Sequence, residues 1–216
     1  MIKINLGQKM DGPLKVLCLG AHSDDIEIGC GGTILRLIEE NPRVTFYWVV
    51  FSAIGCRNAE AEQAAKSFAG GHLERLLLKG FRDGFMPYIG ADVKAVFEEL
   101  KRYISPDLIF THQPRDAHQD HRLISELTWN TFRNHLIFEY EIPKYDGDMG
   151  RPSIFVPLAT EICQTKVRYL MDSFASQRDK NWFDESTFNG LMRLRGMECN
   201  ATSRYAEAFY CRKLVL

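Results

Sequence analysis

Apolar residues fall in short runs separated by amphipathic stretches, and this alternation repeats along most of the chain. Lys15-Val-Leu-Cys-Leu-Gly-Ala21 is an apolar run ending in glycine, the pattern of a strand covered on both faces. Residues 29–40 read as a helix with a glycine-rich start, stopped by Asn41-Pro42. Val44 to Phe51, rich in β-branched and aromatic residues, predicts a second strand, and alanine- and glutamate-rich 57–68 a second helix. Leu73 to Leu78 predicts a third strand. Val93, Val96, Phe97, Leu100 and Ile104 recur at three- and four-residue steps, giving a helix with one apolar stripe that Pro106-Asp107 breaks. Leu108 to Thr111, 119–132 and 137–142 follow as strand, helix and strand. Such alternation predicts an α/β fold: a Rossmann-like, mostly parallel sheet with helices on both faces.

Beyond Pro143 the pattern loosens. Residues 144–152 read as a turn-rich loop, 160–174 as a helix, and a strand is expected within 205–215. The 216 residues are read as one domain, with a core of about 15–142 and a C-terminal elaboration over 143–216.

Lys plus Arg number 27 and Asp plus Glu 28, a net charge of −1, which argues against nucleic acid as the partner. No two of the six cysteines form a C-x-x-C pair, so reduced thiols in a cytoplasmic protein are expected. The first 15 residues contain no apolar leader-like core. The most apolar stretch, Val44 to Ile54, falls far short of the roughly 20 residues a membrane helix needs, so no membrane partner is expected.

Two polar clusters follow predicted strands. Ala21-His22-Ser23-Asp24-Asp25 comes after the first, and Thr111-His112-Gln-Pro-Arg-Asp116-Ala-His118-Gln-Asp120-His121 after the fourth. In an open parallel sheet, ligands bind outside the carboxyl ends of the strands, and the two clusters face each other if their strands are neighbours. Imidazole with carboxylate suits Zn²⁺, and other first-row divalent ions less selectively. His22 and Asp25 are three apart, as are His118 and His121, a spacing that puts each pair on one helical face. A cation would also relieve the repulsion between adjacent aspartates. The same residues read equally as turn formers and caps, Asp116 and Asp120 especially. His112 is expected to pack or cap at its strand end. Glycines 29, 31 and 32 invite comparison with a phosphate-binding turn, but G-x-G-x-x-G is absent and Asp24 and Asp25 would repel a pyrophosphate.

Ala-His-Ser-Asp-Asp followed by Ile-Glu-Ile-Gly-Cys-Gly-Gly-Thr, with Pro114-x-Asp116-x-His118-x-Asp120-His121 downstream, resembles the LmbE-like (PIG-L) N-deacetylase family over about residues 15 to 140. Ser23 departs from the family's usual proline, which costs that loop a fixed φ. Phe-Glu-Tyr-Glu-Ile-Pro-Lys (138–144) and Ser-Gln…Trp-Phe (176–183) resemble one branch of it. The resemblance implies a zinc hydrolase that removes the acetyl group from an N-acetylglucosamine-type sugar or conjugate. It assigns His22, Asp25 and His121 as metal ligands and Asp24 as general base. By the same resemblance, protonated His118 would stabilise the oxyanion or act as acid, Asp120 would orient or polarise His118, and Arg57 and Asp83 would contact sugar hydroxyls. Spacing alone does not separate Asp24 from Asp25, nor His118 from His121. Two alternatives stand beside this reading: a zinc hydrolase of a non-sugar N-acyl amide, and a non-catalytic binding module. Arg178, Lys180, Arg193 and Arg195 are expected to form a solvated basic face. Trp182 and Phe183 suit core or subunit packing as well as sugar stacking. The resemblance and the aromatic content fit a homo-oligomer.

Overall fold

The computed structural model describes residues 12–215; residues 1–11, which make up most of the stretch read above as leaderless, lie outside it. The first half alternates as β1 (Lys15–His22), α1 (Asp25–Glu40), β2 (Thr45–Ser52), α2 (Cys56–Ala69), β3 (Leu73–Leu78) and α3 (Gly90–Tyr103). It continues with β4 (Leu108–His112), α4 (Gln119–Thr131) and β5 (Leu136–Tyr140). The C-terminal part adds β6 (Ile154–Leu158), α5 (Thr160–Ser173), α6 (Glu185–Glu198) and β7 (Tyr205–Tyr210).

All seven strands join one sheet, in the order β3-β2-β1-β4-β5-β7-β6. The first five are parallel, and β7 runs antiparallel to both β5 and β6. Apolar residues on both faces of the strands explain the unbroken hydrophobic runs. Val16, Cys18, Phe46, Trp48 and Val50 face the layer built by α1, α2, α5 and α6. Leu17, Leu19, Val49 and Phe51 face α3 and α4. The expected stripe of α3 is buried there, and Phe97 stacks on Phe51 with ring centroids 5.2 Å apart. No helix among the described residues is long and apolar enough to cross a membrane.

From β1 the chain winds outward through β2 to β3, then returns to lay β4 against the other side of β1, with Val16 opposite Leu108. The strand order reverses there, which opens a crevice at the carboxyl ends of β1 and β4.

α1 begins at Asp25, four residues before the expected start, so Asp25 sits on its first turn. Its glycines pack and do not cradle a phosphate. A Cβ on Gly29 would collide with the Tyr140 ring, and one on Gly31 would come within 2.5 Å of Phe68. Tyr140 cannot give way easily, because it is fully buried and its hydroxyl donates to the Leu19 carbonyl at 2.6 Å. Gly29→Ala is therefore expected to cost about 1–3 kcal/mol, read as a fall in thermal midpoint.

One expectation needs correction, and one open alternative is decided. Arg195 is not on a solvated face: it is 3 % exposed, and its guanidinium donates to Glu141 at 2.7 and 2.9 Å and to Glu198 at 2.8 and 2.9 Å. An isolated charge buried this deeply would be very costly, and the paired carboxylates are what make the position tolerable. Phe183 is core, 2 % exposed, and packs edge-on to Phe188 and Phe174, so it offers no sugar platform.

Candidate metal and active site

β1 ends at His22, and the turn into α1 places Asp24 at the N-cap position and Asp25 on the first helical turn. β4 ends at His112, and the loop after it leads into α4. His118 is the N-cap of α4, its Nδ1 accepting from the Asp120 amide at 3.2 Å, and Asp120 and His121 follow on the first turn. The two polar clusters thus meet because β1 and β4 are neighbours.

His22 Nδ1 lies 3.1 Å from His121 Nε2 and 3.4 Å from Asp25 Oδ2, while Asp25 Oδ1 lies 3.5 Å from His121 Nε2. Zinc bonds of about 2.0–2.1 Å at tetrahedral angles place two ligand atoms roughly 3.3 Å apart. The His22 and His121 nitrogens are spaced for a small divalent ion, and Asp25 offers Oδ2 to the first and Oδ1 to the second. Among the described residues, three groupings lie close enough to hold an ion: His22, His118 and His121; Asp25, His112 and His121; and His22, Asp83, His118 and Asp120. His121 belongs to the first two. The cluster is a buried His/Asp site capable of coordinating a divalent metal.

The protonation pattern agrees with that use. Burial pushes the Asp25 carboxyl up, but His121 and His112 outweigh it and hold the pKa well below the usual range. Asp116 is also held low, its burial offset by His121. For Asp120, burial is offset by the hydrogen bond to His22. Burial and the neighbouring imidazoles lower both His118 and His121. Ionised carboxylates and neutral imidazoles are the forms that bind metal. His22 is the exception: burial lowers its pKa, but Asp120, Asp25 and Asp83 raise it overall.

Around this centre, Arg57 Nη2 donates to Asp24 Oδ1 at 2.7 Å, and its guanidinium lies 5.6 Å above the Phe174 ring. Asp83 Oδ1 sits 2.9 Å from His22 Nε2 and 3.8 Å from His118 Nε2. The His22 contact lowers the Asp83 pKa to about 2. Asp120 reaches His118 through its backbone amide and by charge. Its carboxylate accepts from the Gly84 and Met86 amides at 2.7 and 3.1 Å and lies 3.3 Å from His22 Nε2. It holds His22 and the 84–86 loop, because the first turn of α4 faces that loop.

The profile described as PIG-L, GlcNAc-PI de-N-acetylase, matches residues 17–132, more than half of the chain. The chain belongs to the PIG-L family. Membership places it among amide-hydrolysing deacetylases. Solved structures share the fold at low identity. The N,N'-diacetylchitobiose deacetylase from Pyrococcus horikoshii is 21 % identical over 92 % of this chain and 83 % of its own, with a TM-score of 0.69. The conserved protein TT1542 from Thermus thermophilus is 22 % identical over 94 % and 96 %, at 0.76. GalB, the 4-carboxy-2-hydroxymuconate hydratase from Pseudomonas putida, is 16 % identical over 94 % and 97 %, at 0.71. A hydratase on this fold means that the fold alone does not select the reaction.

His112 packs at its strand end as expected but does so inside this PIG-L site, and Glu27 escaped the sequence reading. His112 is fully buried, stacks on His121 with centroids 3.9 Å apart, and brings Nε2 to 3.0 Å from the Ala21 amide and 3.2 Å from Asp25 Oδ2. Its place at the end of β4, beside the second motif, was the available signal. Glu27 is fully buried, and neither carboxyl oxygen has a hydrogen-bond partner among the described residues. Burial, then Asp24 and Asp25, push its pKa well up, so it is carried neutral.

Proposed function

We propose that the chain is a metal-dependent N-deacetylase of an N-acetylglucosamine-type sugar or conjugate, yielding acetate and a free amine. The observation that carries this reading is that His22 Nδ1 and His121 Nε2 lie 3.1 Å apart, with one Asp25 oxygen 3.4 Å from the first and the other 3.5 Å from the second, and with Asp24 outside every ion-holding group. In this reading His22, Asp25 and His121 hold zinc or another first-row divalent ion. A divalent ion there supplies an acidified water and a Lewis acid for the amide carbonyl.

Asp24, fixed by Arg57, takes a proton as water attacks the carbonyl carbon, and returns it to the departing nitrogen when the C–N bond breaks. His118 donates to the developing oxyanion. Because its Nδ1 accepts from the Asp120 amide, the proton of the neutral ring sits on Nε2. Burial and the His121 and His22 imidazoles lower its pKa, which favours a neutral ring over the protonated one expected from the sequence. Arg57 and Asp83, at the rim, are proposed to meet substrate hydroxyls. His118→Ala is expected to keep its metal and lose about 10²–10³-fold in kcat, as loss of one oxyanion donor does. Loss of metal in that variant would make His118 a ligand instead.

The free state of all six cysteines supports a cytoplasmic location, and the single sheet running through both parts of the chain supports reading it as one domain. Exposed Phe85 and Tyr88 are compatible with a homo-oligomer. The substrate reading is tested by comparing acetate release from N-acetylglucosamine conjugates and from non-sugar N-acetyl amines. A higher kcat/KM for the sugars supports it; a preference for the non-sugar amides overturns the sugar assignment and keeps the hydrolase.

A further inference from the structure

The residues after β5 reach back to the metal-side histidine through a buried chain of charges. His121 Nδ1 lies 3.0 Å from Asp116 Oδ2, a charge contact, and neither buried atom makes a hydrogen bond among the described residues. The other oxygen, Asp116 Oδ1, accepts from the His118 amide at 2.8 Å and faces Lys144 Nζ at 3.0 Å. Lys144 Nζ also donates to Asp148 Oδ2 at 2.6 Å, and that same oxygen accepts from the Ala117 amide at 2.6 Å. Asp148 closes the strap further, its carbonyl accepting from Gln113 Nε2 at 3.3 Å. Lys144 is nearly buried, its side chain 9 % exposed, and the Asp116 side chain is fully buried.

Resting on the function proposed above, we infer that Lys144 is a positioning residue for the metal site, acting on His121 through Asp116. His121 presents Nε2 to the cluster, so its ring orientation is set by what Nδ1 meets. That partner is one oxygen of Asp116. A carboxylate can rotate, and Lys144 together with the His118 amide pins the opposite oxygen. Lys144 also supplies the positive charge that lets Asp116 and Asp148 lie on either side of one ammonium group. An outer carboxylate that orients a ligating imidazole is worth about 10–100-fold in metal affinity, and a residue that fixes the carboxylate draws on the same effect.

The test is zinc affinity, measured by competition with a chromophoric chelator, for the full chain and for Lys144→Met, Lys144→Arg, Asp116→Asn and the double variant Lys144→Met/Asp116→Asn. Lys144→Met is expected to weaken zinc binding by about tenfold or more, and Lys144→Arg, which keeps the charge and the donors, to recover most of it. In the Asp116→Asn background the lysine substitution is expected to change affinity by less than about threefold, because the lysine acts through that carboxylate. Thermal midpoints of the metal-free proteins report any general damage, and Lys144→Gln replaces the methionine variant if that one does not fold. Wild-type affinity in Lys144→Met overturns the inference and leaves the proposed function standing. So does an equal loss with and without Asp116, which marks a merely structural lysine. Failure of the unaltered chain to bind zinc or any other first-row divalent ion overturns the function proposed above and this inference with it.

Discussion

Asp24→Asn will lower kcat by about 10²–10⁴-fold, the usual contribution of a positioned general base, while leaving metal content unchanged. The amide is nearly isosteric with the carboxylate. Its oxygen still accepts from Arg57 Nη2, now 2.7 Å from Asp24 Oδ1, and the start of α1 needs nothing more of this side chain, which makes no capping hydrogen bond. None of the groups able to hold an ion includes Asp24. What the amide cannot do is take a proton from water. Steady-state acetate release with parallel metal analysis separates the two effects. Near-normal turnover in the variant removes Asp24 from the base role, and loss of metal moves it into the ligand set.

His121→Ala has the opposite signature. His121 is shared by both three-residue groupings around the centre, lies 3.1 Å from His22 and 3.5 Å from Asp25, and is backed by Asp116. A catalytic zinc site has about three protein ligands, so removing this one takes metal from about one ion per chain to background, with activity following. The truncation also leaves Asp25 and Asp116 without the imidazole between them, and the metal-free variant is expected to unfold at a lower temperature than the metal-free parent. Plasma mass spectrometry on protein purified without chelator reads the metal, and a thermal melt reads the stability. A variant that keeps its full metal content excludes His121 as a ligand.

The parts of this structure that were legible in the sequence are those written in local pattern. The apolar runs of β1, β2 and β4 mark strands covered on both faces, and the stripe of α3 is buried where its spacing puts it. Two motifs at strand ends located the site, since only neighbouring strands were needed to join them. What escaped notice depends on partners distant in sequence. β6 is five residues long, sits at the sheet edge and contains Pro157, a residue that argues against a strand when read in isolation. The start of α1 was placed late because glycine is a poor helix former, whereas Gly29 and Gly31 are there to admit Tyr140 and Phe68. Arg195 looked like surface charge because Glu141, its partner, lies 54 residues away. Lys144 and Asp148 looked like turn residues because Asp116, which gives them a purpose, belongs to another loop. Asp120 was joined to His118 by the family resemblance, and the fold also gives its carboxylate to Gly84, Met86 and His22.

The most direct test of a metal-dependent deacetylase is acetate release from an N-acetylglucosamine conjugate by one preparation in three states: as purified, after removal of metal by chelator, and after return of zinc. The account predicts turnover as purified, none after chelation, and recovery with about one zinc per chain. Turnover that survives complete metal removal, or no acetate from any N-acetylated amine with zinc bound, contradicts it.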